Sequence, residues 1–136
     1  MAALSAARDT KRSSDSAKPP IEVYPVATNT TIYQGGMVAL NSSGYAKAAA
    51  AGDTVVVGVA EKTVVNAGAD AAVSIAVRRG VFKFANKAGD LVTQADVAGK
   101  VAYVENDQTV RHTSTSSILA GVPKVIETDG VWVEIG

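Results

Sequence analysis

Apolar residues along this chain recur in short alternating runs, separated by clusters of Gly, Asn, Asp and Ser. A period of two between turn residues is the mark of half-buried strands. Ile21, Val23 and Tyr24 open an extended segment, and Pro25 confines it to a sheet edge or a linker. "MVAL" and "YAKA" flank Asn41-Ser42-Ser43-Gly44, a loop that closes a hairpin with Gly44 free to take positive φ. In "DTVVVGVAEKTVV" alternation places Val55, Val57 and Val59 on one face, and in "AAVSIAVRRGVFKFAN" it groups Val73, Ile75 and Val77.

The parity then slips by one, because Phe82 and Phe84 carry the apolar face out of step with Val77. A slip must be absorbed by an extra residue. Arg78-Arg79-Gly80 is therefore predicted to hold a bulge or sharp bend at Gly80, of the sort that curls a sheet into a barrel. A plain turn between two separate strands is the alternative. "LVTQADVAGK" offers a helical turn, with Thr93 as cap, Asp96 near its positive end and Gly99 as its stop. "VAYVENDQTV" reads as strand, polar turn, strand. "PKVIETDGVWVEI" reads as a hairpin around Thr128-Asp129-Gly130, with Val131, Val133 and Ile135 on one face. Trp132 points the other way, to a second apolar layer or a subunit contact. Ala51-Gly52-Asp53-Thr54-Val55 is echoed by Ala88-Gly89-Asp90-Leu91-Val92, a repeat of turn chemistry rather than of a binding site.

Composition sharpens this picture. Twenty-one valines and six isoleucines stand against four leucines and two methionines. β-Branched side chains suit pleated surfaces and argue against a helical bundle. The expected fold is all-β: a small barrel-like domain of short strands over residues 21–136, with one short helical turn. Residues 1–20 differ, carrying Arg8, Asp9, Lys11, Arg12, Asp15 and Lys18 and ending in Pro19-Pro20 without apolar periodicity. Such a segment cannot repay its ordering entropy alone. An extended N-terminal arm is expected, ordered only where a neighbouring chain holds it.

Formal charge is zero and aromatic residues make up 5%. A nucleic-acid binder would show a basic stripe with stacking aromatics, so direct contact with DNA or RNA is not expected. There is no cysteine, hence no disulfide framework, thiolate nucleophile or cysteine metal site, which fits synthesis in a cytoplasm. The opening "MAALSAARDTKRSS" lacks the basic start and apolar length of a signal peptide, and no run reaches the length of a transmembrane helix. A soluble chain awaiting a partner is expected.

Candidate chemistry is sparse. Gly35-Gly36 leads into "MVAL" rather than a helix, and Tyr45 rather than lysine follows Gly44, so neither a phosphate loop nor a dinucleotide fingerprint is present. These glycines turn the chain. His112 lies among hydroxyls in "VRHTSTSS", near Asp107, and a Ser-His-Asp relay would need a buried acid and a pocket that this polar context does not suggest. Glu105 and Asp107 lack the spaced ligands of a calcium loop. Arg78-Arg79 offers an anion or carboxylate contact, or else an outward-facing pair that discourages stray edge pairing. No enzyme, cofactor or metal is expected, and the balance tilts to binding or structure.

The phrases "YPVATNTTIYQGGMVALNSSGYAKAA", "VVVGVAEKTV", "VRRGVFKFAN", "LVTQADVAGKVAYVENDQTV" and "ILAGVPKVIETDGVWVEI" resemble, in order and wording, the capsid cement (head decoration) proteins of tailed bacteriophages. The likeness runs from Tyr24 to Ile135. It implies a tulip-shaped β domain and a homotrimer on the outer surface of an expanded head. It implies too that the trimer sits at threefold and quasi-threefold positions, clamping neighbouring major capsid subunits. The virion surface would be its place, and an arm before Ile21 would reach onto the lattice. Arg8, Lys11, Arg12 and Lys18 would meet an acidic capsid surface, while Ile21, Val23 and Tyr24 would add a strand to a partner's edge. Arg78, Arg79 and Trp132 are further candidate contacts with the capsid or within the trimer. Rival readings are a ligand- or host-surface-binding module displayed on the particle, a tail or connector component, and, more distantly, an enzyme.

Overall fold

The computed structural model describes residues 5–7 and 20–136. The arm residues Arg8, Lys11, Arg12 and Lys18 lie outside the described residues. The rest is β-rich, as expected, in two bodies that follow one another in the chain.

The first body is a five-stranded antiparallel sheet. Its strands are β1 (Ile21–Pro25), β3 (Met37–Leu40), β4 (Ala46–Ala48), β5 (Val55–Ala60) and β7 (Ser74–Arg78), in the order β1-β7-β5-β3-β4. Pro25 ends the edge strand, where its missing N–H is tolerated. Immediately after it, Val26 bridges Ala46, and the Ala27 N–H donates to the Ala46 carbonyl at 3.0 Å. The two sides of the sheet thus meet at this one point, past the end of β1, which leaves β1 itself an edge strand. A ribbon of β2 (Thr30–Ile32) and β6 (Val64–Asn66) adds Ile32 and Val64 to the enclosed core of Val26, Val38, Ala46, Ala60, Ile75 and Val77.

The second body is a closed barrel of β8 (Gly80–Asn86), β9 (Ala102–Asn106), β10 (Thr109–Arg111), β11 (Leu119–Glu127) and β12 (Gly130–Ile135), in the order β10-β8-β12-β11-β9. The β10–β8 pair is parallel and the others antiparallel. Phe84, Val104, Val110, Val131, Val133 and Ile135 fill it, and Met37, Ala39 and Val59 join the same cluster from the first sheet. Consequently β3 is buried on both faces, Val38 towards one core and Met37 and Ala39 towards the other. That explains why "MVAL" reads as an unbroken apolar run.

The parity slip after Val77 has a simple cause. The chain passes from β7 through Arg79 into β8, crossing from the sheet to the barrel, and Gly80 takes φ +150° at the bend. Val73, Ile75 and Val77 belong to the first core, Phe82 and Phe84 to the second. The predicted bend exists, but it joins two bodies instead of curling one sheet.

The expected common face of Val55, Val57 and Val59 does not form. Val38 opposes Gly58 while Ala39 opposes Val56, so Val57 is the extra residue of a bulge. Val56 and Val59 face the barrel core and Val57 and Ala60 the other. Gly58 permits this: its φ is +153°, and a Cβ there would strike the Arg78 carbonyl and the Val77 side chain.

Local turn chemistry follows expectation. The Asn41 side chain accepts the N–H groups of Ser43 and Tyr45, and Gly44 has φ +87°. Gly35 has φ +84°, and the Gly36 N–H closes on the Tyr33 carbonyl before β3 begins. The two echoed turns close alike, the Asp53 N–H on the Ala50 carbonyl and the Asp90 N–H on that of Lys87. Helix α1 (Gln94–Gly99) starts at Thr93, whose N–H donates to Asp96 at 2.9 Å. Its left-handed stop is Lys100, φ +61°, one residue past the expected Gly99.

Candidate functional site

Three surfaces collect the residues singled out from the sequence. The first is the outer edge of the sheet. β1 pairs on one side with β7, Ile21 against Arg78 and Tyr24 against Ile75, and it is the edge strand of that sheet. Val23 is 64% exposed and Ile21 is also exposed, whereas Tyr24 lies half-buried against the first core. The strand expected to join a partner is therefore already docked in its own sheet, and only its outer side faces away. Charge around it is internally matched. Arg78 pairs with Glu61, and Arg79 lies 3.5 Å from Glu22 and donates to the Tyr24 hydroxyl at 3.4 Å. Both arginines are thus paired with carboxylates of their own chain.

The second surface is the outside of the barrel. Trp132 points away from the core, 37% exposed, between Lys83 on β8 and Val125 on β11. Its indole N–H donates to Glu127 at 2.6 Å, and the Lys83 ammonium stands 6.0 Å from the ring centre. Lys83 also reaches Asp129 at 2.6 Å and Glu127 at 3.2 Å; the bond to Asp129, joined by that to Glu127, outweighs burial and raises its pKa. Glu127 is held below the ordinary carboxylate range by the Trp132 N–H and then by Lys83. Val81 and Val125, both exposed, complete an apolar strip rimmed by charges of both signs.

The third surface surrounds His112. Its sequence neighbour Asp107 is not its partner. Nδ1 lies 2.8 Å from Oδ1 of Asp96, which α1 carries to the barrel wall and which is only 6% exposed. The hydrogen bond to Asp96, and then its charge, raise the histidine pKa above the ordinary 6.5. Burial pushes Asp96 upward, but the Thr93 N–H and His112 outweigh it and hold the carboxyl below 3.8. Asp90 anchors the same loop by accepting the Thr113 hydroxyl at 2.8 Å and the Thr113 N–H. A buried acid does orient this histidine. However, neither Ser114 nor any neighbouring hydroxyl bonds its ring, so the geometry is that of a fastened loop. Asp96 was legible as a helix-start residue, but nothing in its spacing links it to His112.

Among the described residues no group of three or more His, Asp or Glu side chains is placed to hold a metal ion. Compared with known proteins, the chain matches no family model, no curated protein and no solved structure.

Proposed function

We propose that this protein is a capsid fastener. In this reading it binds as a homotrimer to the outer surface of an expanded phage head, at threefold and quasi-threefold positions, and clamps neighbouring major capsid subunits. The observation that carries the reading is the ordered set of phrases from Tyr24 to Ile135 that resemble head decoration proteins.

Physical features accord with it. A clamp asks for a stiff body, and two β cores that share the doubly buried β3 resist deformation better than one. It asks for exposed apolar anchors rimmed by charge, which the Trp132 strip supplies. It asks for an attachment point for an arm, and residues 1–20 run into β1 at the sheet edge. Weak contacts repeated over many copies give firm retention through effective concentration. No step of this role needs a nucleophile or a cofactor.

The test is to mix purified protein with undecorated, expanded heads and image the particles. Added density on the threefold positions is the expected result. Saturating protein that leaves the heads bare would end the reading. Deleting residues 1–20 separates the arm from the body, since unchanged attachment would remove the arm's role and leave the clamp intact.

A further inference from the structure

A cleft of about 450 Å³ opens where the two bodies meet. One wall is the turn between β2 and β3, Tyr33-Gln34-Gly35-Gly36, and the other is the turn between β9 and β10, Asp107-Gln108. Seventy residues of chain separate the two walls, so no local motif announces it.

The frame of this cleft is fixed by its backbone. The Met37 N–H donates to the Asp107 carbonyl at 2.7 Å, tying wall to wall. Gly35 donates to Ala60, Ala60 to Gly36, and Gln34 to the Thr63 hydroxyl, each near 3.0 Å. On the other side Gln108 donates to the Asn106 side chain, and its carbonyl receives the Ala85 N–H. The side chains are in the opposite condition. Among the described residues, the Tyr33 hydroxyl, the Gln34 and Gln108 carboxamides and the Asp107 carboxylate bond no other side chain or backbone group and are open to solvent. Tyr33 is 63% exposed. A backbone frame fixed in this way presents four solvent-facing polar groups and one flat ring to the same cleft, the mixed lining of a small-ligand site.

Its chemistry narrows the ligand. The one charged group in the lining is a carboxylate, so phosphate and other anions are disfavoured, in keeping with the failed phosphate-loop pattern. A purely apolar ligand would strand the amides and the carboxylate without partners. A sugar ring meets both demands, since its C–H face can lie on an aromatic ring while its hydroxyls donate to a carboxylate and exchange bonds with carboxamides. Gly35-Gly36 leaves room for this. A Cβ on Gly36 would press on the Tyr33 carbonyl at 3.1 Å and on Oδ2 of Asp107 at 3.3 Å, crowding the floor.

We propose that this cleft binds a neutral saccharide residue, a hexose or N-acetylhexosamine, with Tyr33 as platform and Asp107, Gln34 and Gln108 as hydroxyl partners. The inference goes beyond capsid fastening and does not rest on it.

The experiment is a nitrogen-15 NMR titration of the full chain with glucose, galactose and N-acetylglucosamine in turn. Lysine amide serves as the cationic competitor, because a ring beside a carboxylate also suits an ammonium group. Expected are saturable shifts confined to Tyr33, Gln34, Gly35, Gly36, Asp107 and Gln108 with at least one sugar. Tyr33→Ala and Asp107→Asn should each weaken that binding by about tenfold or more. A melt of each variant confirms that it is folded, and Gln108→Ala replaces either one that is not. The proposal is overturned if no sugar gives saturable shifts by about 100 mM, where even weak millimolar binding would be complete. It is equally overturned if the shifts persist in folded variants, or if lysine amide binds more tightly than every sugar. Head attachment by Tyr33→Ala should equal that of the unaltered chain, which keeps this result separate from the capsid test.

Discussion

The carboxamide of Asn66 donates to the carbonyl of Val26 at 3.0 Å, across forty positions of sequence. Val26 is the residue at which the first sheet closes on itself, and Asn66 is buried beside it. The same NH2 group is within 3.0 Å of the carbonyls of Ala27 and Ala69, and the side-chain oxygen receives the Gly68 N–H. One side chain thus satisfies a corner of backbone that no strand partner serves.

Replacing Asn66 with Ala should therefore cost more than a single hydrogen bond. The Val26 and Ala69 carbonyls would keep the N–H groups of Ala71 and Ala72, but leaving the Ala27 carbonyl and the Gly68 N–H without partners costs about 1–3 kcal/mol each, moderated by whatever water enters. A loss of about 2–5 kcal/mol is expected in urea unfolding, with an unchanged m-value. A loss under about 0.5 kcal/mol would place Asn66 outside the closure.

The His112–Asp96 pair makes stability depend on pH in a defined direction. His112 binds its proton more tightly when folded, so its contribution is complete below 6.5 and fades as pH climbs through the raised folded value. Asp96 is held below 3.8, so its contribution is complete above 3.8 and fades as pH falls through the lowered value. The pair is fully engaged between these limits. His112 is the sole histidine, so its ring resonances report directly, with a midpoint above 6.5 that drops in Asp96→Asn. The melting difference between the unaltered chain and His112→Gln should shrink from about pH 5.5 to about pH 8.5. A difference that grows instead would refute the pairing.

Glycines in this chain are not equivalent. A Cβ on Gly121 would collide with the carbonyl of Glu134 on the facing strand and crowd Val133, within the wall of the closed barrel. Gly121→Ala should destabilise by about 1–3 kcal/mol, as overpacking does. Gly52 meets open space and has no positive φ. Gly52→Ala should be neutral, or stabilising by up to about 1 kcal/mol through the unfolded chain. Equal melting temperatures for the two variants would contradict the barrel register.

Val23 separates folding from attachment. Its side chain is exposed on the edge strand, so Val23→Ser should change stability by no more than about 0.5 kcal/mol. If the sheet edge carries the arm onto the capsid, the same variant should be lost from heads in washing at lower salt than the unaltered chain. Undiminished retention would clear Val23 of a contact role and move attention to Trp132.

Local features of this fold were legible because they are settled within a few residues. Alternation alone assigns Val131, Val133 and Ile135 to one face, and all three are buried in the barrel. Asn41 and Gly44 specify their hairpin through a side-chain acceptor and a left-handed backbone. Thr93 and Asp96 start their helix in the same local way. Each depends on sterics or hydrogen bonds that the neighbouring sequence contains.

What only the tertiary structure decided is which surfaces those elements meet. A strand's alternation says that it is half-buried, not against what. Thus β5 parted Val57 from Val59 once its bulge was set by β3, and the slip after Val77 became a crossing between two cores. His112 found Asp96 rather than Asp107, and Tyr33 came to face Asp107, because closing the barrel brings distant turns together. The energy of those pairings lies in contacts between residues far apart in the chain, and local pattern carries no record of them.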